Sequence, residues 1–179
     1  MKIIKIYLTG IIAFILALIF DKSIMQWSLN LRIDLINPVI KIIAHSGIVI
    51  LFVVIMFFIL IKKKRSLVLL TSAVGAYYIG VLLKFIIARP RPDIEQVVTA
   101  GFYSMPSTHA ITLFALLPIL YKEYPKYLWM WLLIIIIIVF SRFYIGVHYL
   151  SDLILGAMLG FLIGLLVLLL DKKYRFGII

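Results

Sequence analysis

The stretch SRFYIGVHYLSD, residues 141–152, carries three ionisable side chains, Arg142, His148 and Asp152, between two long apolar runs. An ionisable group is costly to place in lipid, so such residues mark either a membrane boundary or a functional site. His148 and Asp152 are four residues apart, and on a helix beginning near Val147 that spacing stacks them on one face. A carboxylate so placed can hold an imidazole. The structural alternative is that Arg142 and His148 extend their polar ends to the membrane surface while Asp152 caps a helix.

Outward from this stretch the chain is apolar almost throughout. It has 179 residues, 65% of them hydrophobic, with a mean hydropathy of +1.22. Soluble domains run at about 45 to 50% apolar, so the composition belongs to the membrane class. Six segments approach the roughly 20 apolar residues a span needs: residues 3–20, 38–61, 66–88, 107–121, 127–145 and 148–170. The fourth is short and carries Pro118, which a helix tolerates at a kink or near its end. Residues 21–37, with Asp21, Lys22, Trp27, Arg32 and Asp34, read as a short interfacial helix with Trp27 at headgroup depth. Pro38 suits the first turn of the next helix. No small-residue cleavage pattern follows Phe20, so the first span is expected to be retained. The expected fold is an all-α integral membrane protein, a six-transmembrane helix bundle forming a single domain over residues 1–179.

The formal charge is +11, and eleven of the eighteen lysines and arginines fall on the N-terminal side of the expected membrane: Lys2, Lys5, Lys62 to Arg65, Lys122, Lys126, Lys172, Lys173 and Arg175. Excess Lys and Arg marks the cytoplasmic face, so both termini are expected there. The positive charge then reflects topology rather than a nucleic-acid partner. With no cysteine, disulfides and thiolate metal sites are excluded. Gly156, Gly160 and Gly164 repeat at steps of four in the last span, a pattern that lets helix backbones approach closely in lipid.

Two further clusters fall on the same, outer face. In KFIIARPRP, residues 84–92, each proline breaks the helix and stiffens the chain, which suits Lys84 and the arginines to an oxyanion, although a lysine at a span end ordinarily snorkels. In FYSMPSTHA, residues 102–110, Ser107 is placed as an N-cap, and the helix behind it aims free N–H groups and its positive end outward. His109 lies in that first turn. Together Lys84, Arg91 and Arg142 as cations, Ser107 and backbone amides as donors, two histidines and one aspartate match a phosphate group. One histidine would attack and the other protonate the departing oxygen. A metal site of His109, His148 and Asp152 competes, but three nearby cations would repel a divalent ion and no further carboxylate cluster is present. No metal and no cofactor are expected. His45 reads as packing or interface, and Asp93 and Glu95 as a solvated loop.

These residues resemble the type 2 phosphatidic acid phosphatase superfamily, whose motifs are Lys-x6-Arg-Pro, Pro-Ser-Gly-His and Ser-Arg-x5-His-x3-Asp. They stand here as residues 84–92, 106–109 and 141–152, in that order, and the first spacing selects Arg91 over Arg89. The resemblance covers residues 84–152. It implies a metal-independent phosphatase in which His148 is the nucleophile of a phosphohistidine intermediate and Asp152 orients it. His109 would be the general acid and then the base for water, and Lys84, Arg91, Ser107, Thr108 and Arg142 would cradle the phosphate. Thr108 replaces the family's glycine. A β-branched residue strongly disfavours positive φ, so Thr108 is expected to be helical and still to offer its N–H.

The function expected is a membrane lipid phosphatase acting at the outer face of the cell membrane on a substrate dissolved in the bilayer. Polyprenyl diphosphate is favoured over phosphatidylglycerol phosphate and phosphatidic acid. The alternatives are a lipid phosphotransferase, which passes the phosphate to a hydroxyl acceptor, and a non-catalytic membrane protein that retains the motifs.

Overall fold

The computed structural model describes residues 2–30, 32–94, 97–98, 101 and 103–176. Among these, seven helices form and no strand does, the one extended pairing being an isolated bridge between Pro90 and Tyr103. The helices are α1 (Lys2–Leu29), α2 (Asn37–Ala44), α3 (Ser46–Ile61), α4 (Ser66–Ile87), α5 (Thr108–Glu123), α6 (Leu128–Tyr144) and α7 (Leu150–Tyr174). Four of them are long and apolar enough to cross a membrane, counting α6 with the 3-10 turn before it. The α2–α3 pair, bent by 50° at its junction, makes a fifth candidate. Large apolar side chains such as Leu8, Ile15, Phe58, Phe85 and Leu169 point outward. An apolar exterior of this extent is what lipid contact requires.

Two sequence expectations are corrected. Residues 21–29 do not form a separate interfacial helix but continue α1. Asp21, which read as the end of a span, is only 2% exposed because its carboxylate is paired inside the bundle. The apolar run from Pro38 is also not one straight helix. His45 adopts extended backbone angles, and its Nδ1 accepts the Gly47 N–H at 3.0 Å, capping α3. The break leaves the Ala44 carbonyl outside the helical ladder, because Ile48 N–H donates to His45 instead.

Helix α5 is the centre of the bundle, buried along nearly its whole length from His109 to Leu120 and packed by α3, α4, α6 and α7. It runs through Pro118 to Glu123 without a break. In lipid, helices associate through close packing rather than water exclusion, so small residues at the contact decide how near they come. A Cβ on Gly160 would lie 2.9 Å from the Ile111 carbonyl carbon, and one on Gly164 3.0 Å from that of Ala115. The expected glycine stripe does face the bundle. Gly160→Ala is therefore expected to destabilise the protein in a detergent melt: overpacking costs about 1–3 kcal/mol, against a gain of roughly 1 kcal/mol in helix propensity. Gly75→Ala, where a Cβ meets nothing within 4 Å, is expected to be neutral or stabilising.

At the end of the bundle away from residues 84–106, Arg65 pairs with the buried Asp171 of α7 and, at 3.2 Å, with Glu123 of α5. This clamp ties α4, α5 and α7 together. The opposite ends of the same helices carry the site.

Candidate active site

Three chain reversals deliver the polar residues to one end of the bundle. Helix α4 ends at Ala88, which takes a left-handed conformation (φ 50°) while its N–H closes on the Lys84 carbonyl at 2.9 Å. That turn throws Arg89 and Arg91 off the helix axis. Helix α5 begins at Thr108 with Ser107 as the extended residue before it, and the Ser107 N–H donates to the Asp152 carbonyl at 3.1 Å. Between α6 and α7 the chain turns at Gly146, whose φ of +80° favours glycine, and places His148 just before α7.

His148 and Asp152 meet, but not by stacking on one helix face: α7 begins at Leu150 rather than near Val147, and the extended Tyr149 leaves His148 ahead of the helix, from where its ring reaches back to Asp152. His148 Nδ1 lies 3.4 Å from Asp152 Oδ2, a long contact of the kind that unliganded sites often show. Asp152 Oδ2 also accepts the Tyr149 N–H at 2.9 Å, so the carboxylate caps α7 as well. Capping and orienting are thus the work of one side chain. The His148 ring is buried, and the Ser104 carbonyl faces it too. Burial, and after it the charges of Lys84, Arg91 and Arg142, hold the imidazole well below the usual histidine range. It is neutral at pH 7.

The cations are anchored by backbone oxygens. Lys84 Nζ donates to the Tyr103 and Ser104 carbonyls at 3.0 and 2.9 Å. Arg91 is held by the Gly101 and Val147 carbonyls. Arg142 Nη1 donates at 2.6 Å to the Ala44 carbonyl that the α2–α3 break set free, and the same carbonyl faces His109. The ammonium and both guanidinium groups lie within electrostatic reach of His148, and His109 within reach of His148, Lys84 and Arg142. Three buried polar atoms here, Ser107 Oγ, His109 Nε2 and Arg142 Nε, have no hydrogen-bond partner among the described residues. Buried groups left so are costly, and a bound oxyanion is the chemistry that would satisfy a hydroxyl, an imidazole and a guanidinium together.

Ser107 stands at the N-cap position, but its side chain makes no capping bond. Thr108 opens α5 and is not among the residues with positive φ. His109 and Thr108 line the end of a cavity of about 580 Å³ between α3, α4 and α5, walled by aliphatic and tyrosine side chains such as Val49, Val53, Leu70 and Tyr77. His45 is exposed and caps α3. Asp93 is exposed, and Glu95 lies outside the described residues.

The PAP2 superfamily model matches residues 65–176. The chain belongs to the PAP2 superfamily. Its structure superposes on the first transmembrane PAP2-type phosphatidylglycerolphosphate phosphatase from Bacillus subtilis with a TM-score of 0.73 and 26% identity, covering 94% of this chain and 98% of that one. It shares its fold with Aquifex aeolicus LpxE at a TM-score of 0.72 and 24% identity, covering 83% and 94% of the two chains. A bacitracin transport permease protein, BcrC of Bacillus licheniformis, is 31% identical over 86 residues, 48% of this chain and 42% of that relative. The chain thus matches under half the length of that relative. As a PAP2 protein with several membrane-spanning helices, it is a multi-pass membrane protein.

Sequence reasoning passed over three residues that border the candidate site. Arg89 pairs with Asp152 at 2.9 Å and with Asp21 at 2.8 Å. Ser151 contacts both Arg89 and Asp21. The available signal was Asp21 itself, an acidic residue in an apolar helix.

Proposed function

We propose that this PAP2 protein is a lipid phosphate phosphatase working through a covalent phosphohistidine. The observation that carries the reading is the convergence of a neutral, carboxylate-held His148 with three anchored cations and His109, whose Nε2 has no partner among the described residues, at the end of an apolar cavity. The lipid chain occupies the cavity between α3 and α4, and its phosphate sits among Lys84, Arg91, Ser107, Thr108 and Arg142. His148 attacks phosphorus, Asp152 stabilises the imidazolium that forms, and His109 protonates the departing oxygen. The covalent bond to the leaving group breaks as the N–P bond forms. His109, now basic, takes a proton from water, which attacks phosphorus and regenerates His148. The chemistry needs no metal.

We further propose six spans with both termini cytoplasmic and the whole chain forming one domain whose catalytic motifs occupy residues 84–152. The end carrying the Arg65–Asp171–Glu123 clamp then faces the cytoplasm and the site faces outward. Helix α5 has 16 residues, about 24 Å at 1.5 Å per residue, short of the hydrocarbon thickness. Its burial by four neighbours makes full lipid-facing length unnecessary. Polyprenyl diphosphate is the leading substrate, ahead of phosphatidylglycerol phosphate and phosphatidic acid.

Phosphate release by purified protein in detergent with EDTA tests this over those three lipids. Release from at least one is expected, and its loss in EDTA would refute the metal-free mechanism. Transfer of phosphate to an added alcohol in place of water would reassign the protein as a phosphotransferase.

The buried His148 also sets a pH dependence. A histidine pKa lowered in the folded protein means the neutral form persists below pH 6.5, where a free imidazole is half protonated. The acid limb of kcat/KM, corrected for ionisation of the substrate phosphate, is therefore expected below pH 6.5. By the same sign, folding stability is held above the unfolded pKa of about 6.5 and falls as pH drops from there toward the folded value.

A further inference from the structure

Arg89 is adjacent to the phosphate-binding cluster yet committed elsewhere. Its Nη1 donates to Asp152 Oδ1 at 2.9 Å and to Ser151 Oγ at 2.6 Å, and its Nη2 to Asp21 Oδ2 at 2.8 Å. Its guanidinium carbon lies 4.1 Å from the centre of the Tyr149 ring. Asp21 in turn accepts the Ser151 N–H at 3.1 Å and pairs with the Ser151 hydroxyl. A guanidinium held by two buried carboxylates and a ring has a fixed plane, and that plane fixes Asp152. Buried ion pairs are weak devices for stability, because desolvation offsets their attraction. Their more distinctive product is geometry. Asp21 also lies on α1, outside the residues 65–176 that the family model matches.

We propose that Arg89 and Asp21 are positioning residues, a relay from α1 that holds the Asp152 carboxylate where it accepts the Nδ1 proton of His148. The proposal rests on the reading of His148 as nucleophile for its catalytic consequence, though not for its geometry. Two acceptors face the His148 ring, the Asp152 carboxylate and the Ser104 carbonyl. The carboxylate is the stronger acceptor, and the Ser104 carbonyl is already engaged by Lys84. With Asp152 locked by Arg89, the Nδ1–H tautomer prevails and Nε2 keeps its lone pair for attack. Without the lock, Asp152 Oδ1 loses its partner, the carboxylate rotates, and the proton is free to reside on either nitrogen.

The test uses full-length protein in detergent, with histidine labelled by nitrogen-15. The chain has three histidines, so His148→Ala assigns the His148 ring signals directly. Wild type is expected to show the Nδ1–H tautomer at His148, and Asp21→Asn and Arg89→Met to show mixed tautomers. On whichever lipid wild type hydrolyses, both variants are expected to lose about 10- to 100-fold in kcat, with KM changed less than about 2-fold. Arg89→Lys keeps the charge without the two-sided fork and is expected to fall between wild type and Arg89→Met. Asp21→Asn is isosteric and removes the charge that fixes the Nη2 side of Arg89, freeing the guanidinium to turn away from Asp152 Oδ1, so it reports even where Arg89→Met does not fold. Wild-type tautomer and kcat in Asp21→Asn would overturn the relay. A relay that alters the tautomer in a wild-type protein without phosphatase activity would instead leave the geometry standing and refute the function.

Discussion

His148→Ala is expected to remove phosphate release almost completely, by about 10⁶-fold in kcat, the scale of losing a nucleophile or its base in a coupled catalytic unit. Lipid binding should persist, because the cavity between α3 and α4 and the cations Lys84, Arg91 and Arg142 do not depend on that ring for their anchors. The measurement is a single-turnover assay beside equilibrium binding of the same lipid. A loss of only about 10²–10⁴-fold would mean that water attacks directly and that the imidazole only assists as a general base.

Asp152→Asn is expected to cost about 10⁴-fold in kcat, as loss of the orienting carboxylate does in other histidine-dependent sites. The fold should survive the change. An amide oxygen can still accept the Tyr149 N–H that caps α7, and Arg89 retains Asp21 as a buried partner. What is lost is the negative charge beside His148: the imidazolium formed on phosphorylation has no counter-ion. Near-wild-type melting together with the loss in kcat and a small change in KM would separate this from a folding defect.

The motifs were legible because their chemistry is carried by residue type and spacing. The pairing of His148 with Asp152 was anticipated from a helical step, although α7 begins only at Leu150 and a turn delivers His148 to the carboxylate instead; the glycines of α7 declare a close helix contact by size alone. The features that escaped are those whose meaning depends on a distant partner. Asp21 and Lys22 end an apolar run and read as a boundary, until Arg89, far along the chain, neutralises Asp21 inside the bundle. Arg89 and Arg91 are both followed by proline; the motif spacing selects Arg91, but that Arg89 is locked on carboxylates is visible only in the three-dimensional arrangement. The α2–α3 break has no interior proline to announce it, and the signal beside it, Ser46-Gly47, was passed over; His45 capping the next helix makes the break, and the carbonyl it frees becomes the anchor of Arg142.

The central claim, covalent catalysis by His148, is tested most directly by trapping the intermediate. Wild-type protein mixed with a lipid carrying radioactive phosphate at its hydrolysable position is quenched within milliseconds in alkali, where phosphohistidine survives, and digested for mass spectrometry. The account predicts an acid-labile phosphate on the peptide containing His148, absent from His148→Ala. Rapid hydrolysis with no labelled protein at any time, or label on His109 in its place, would contradict it.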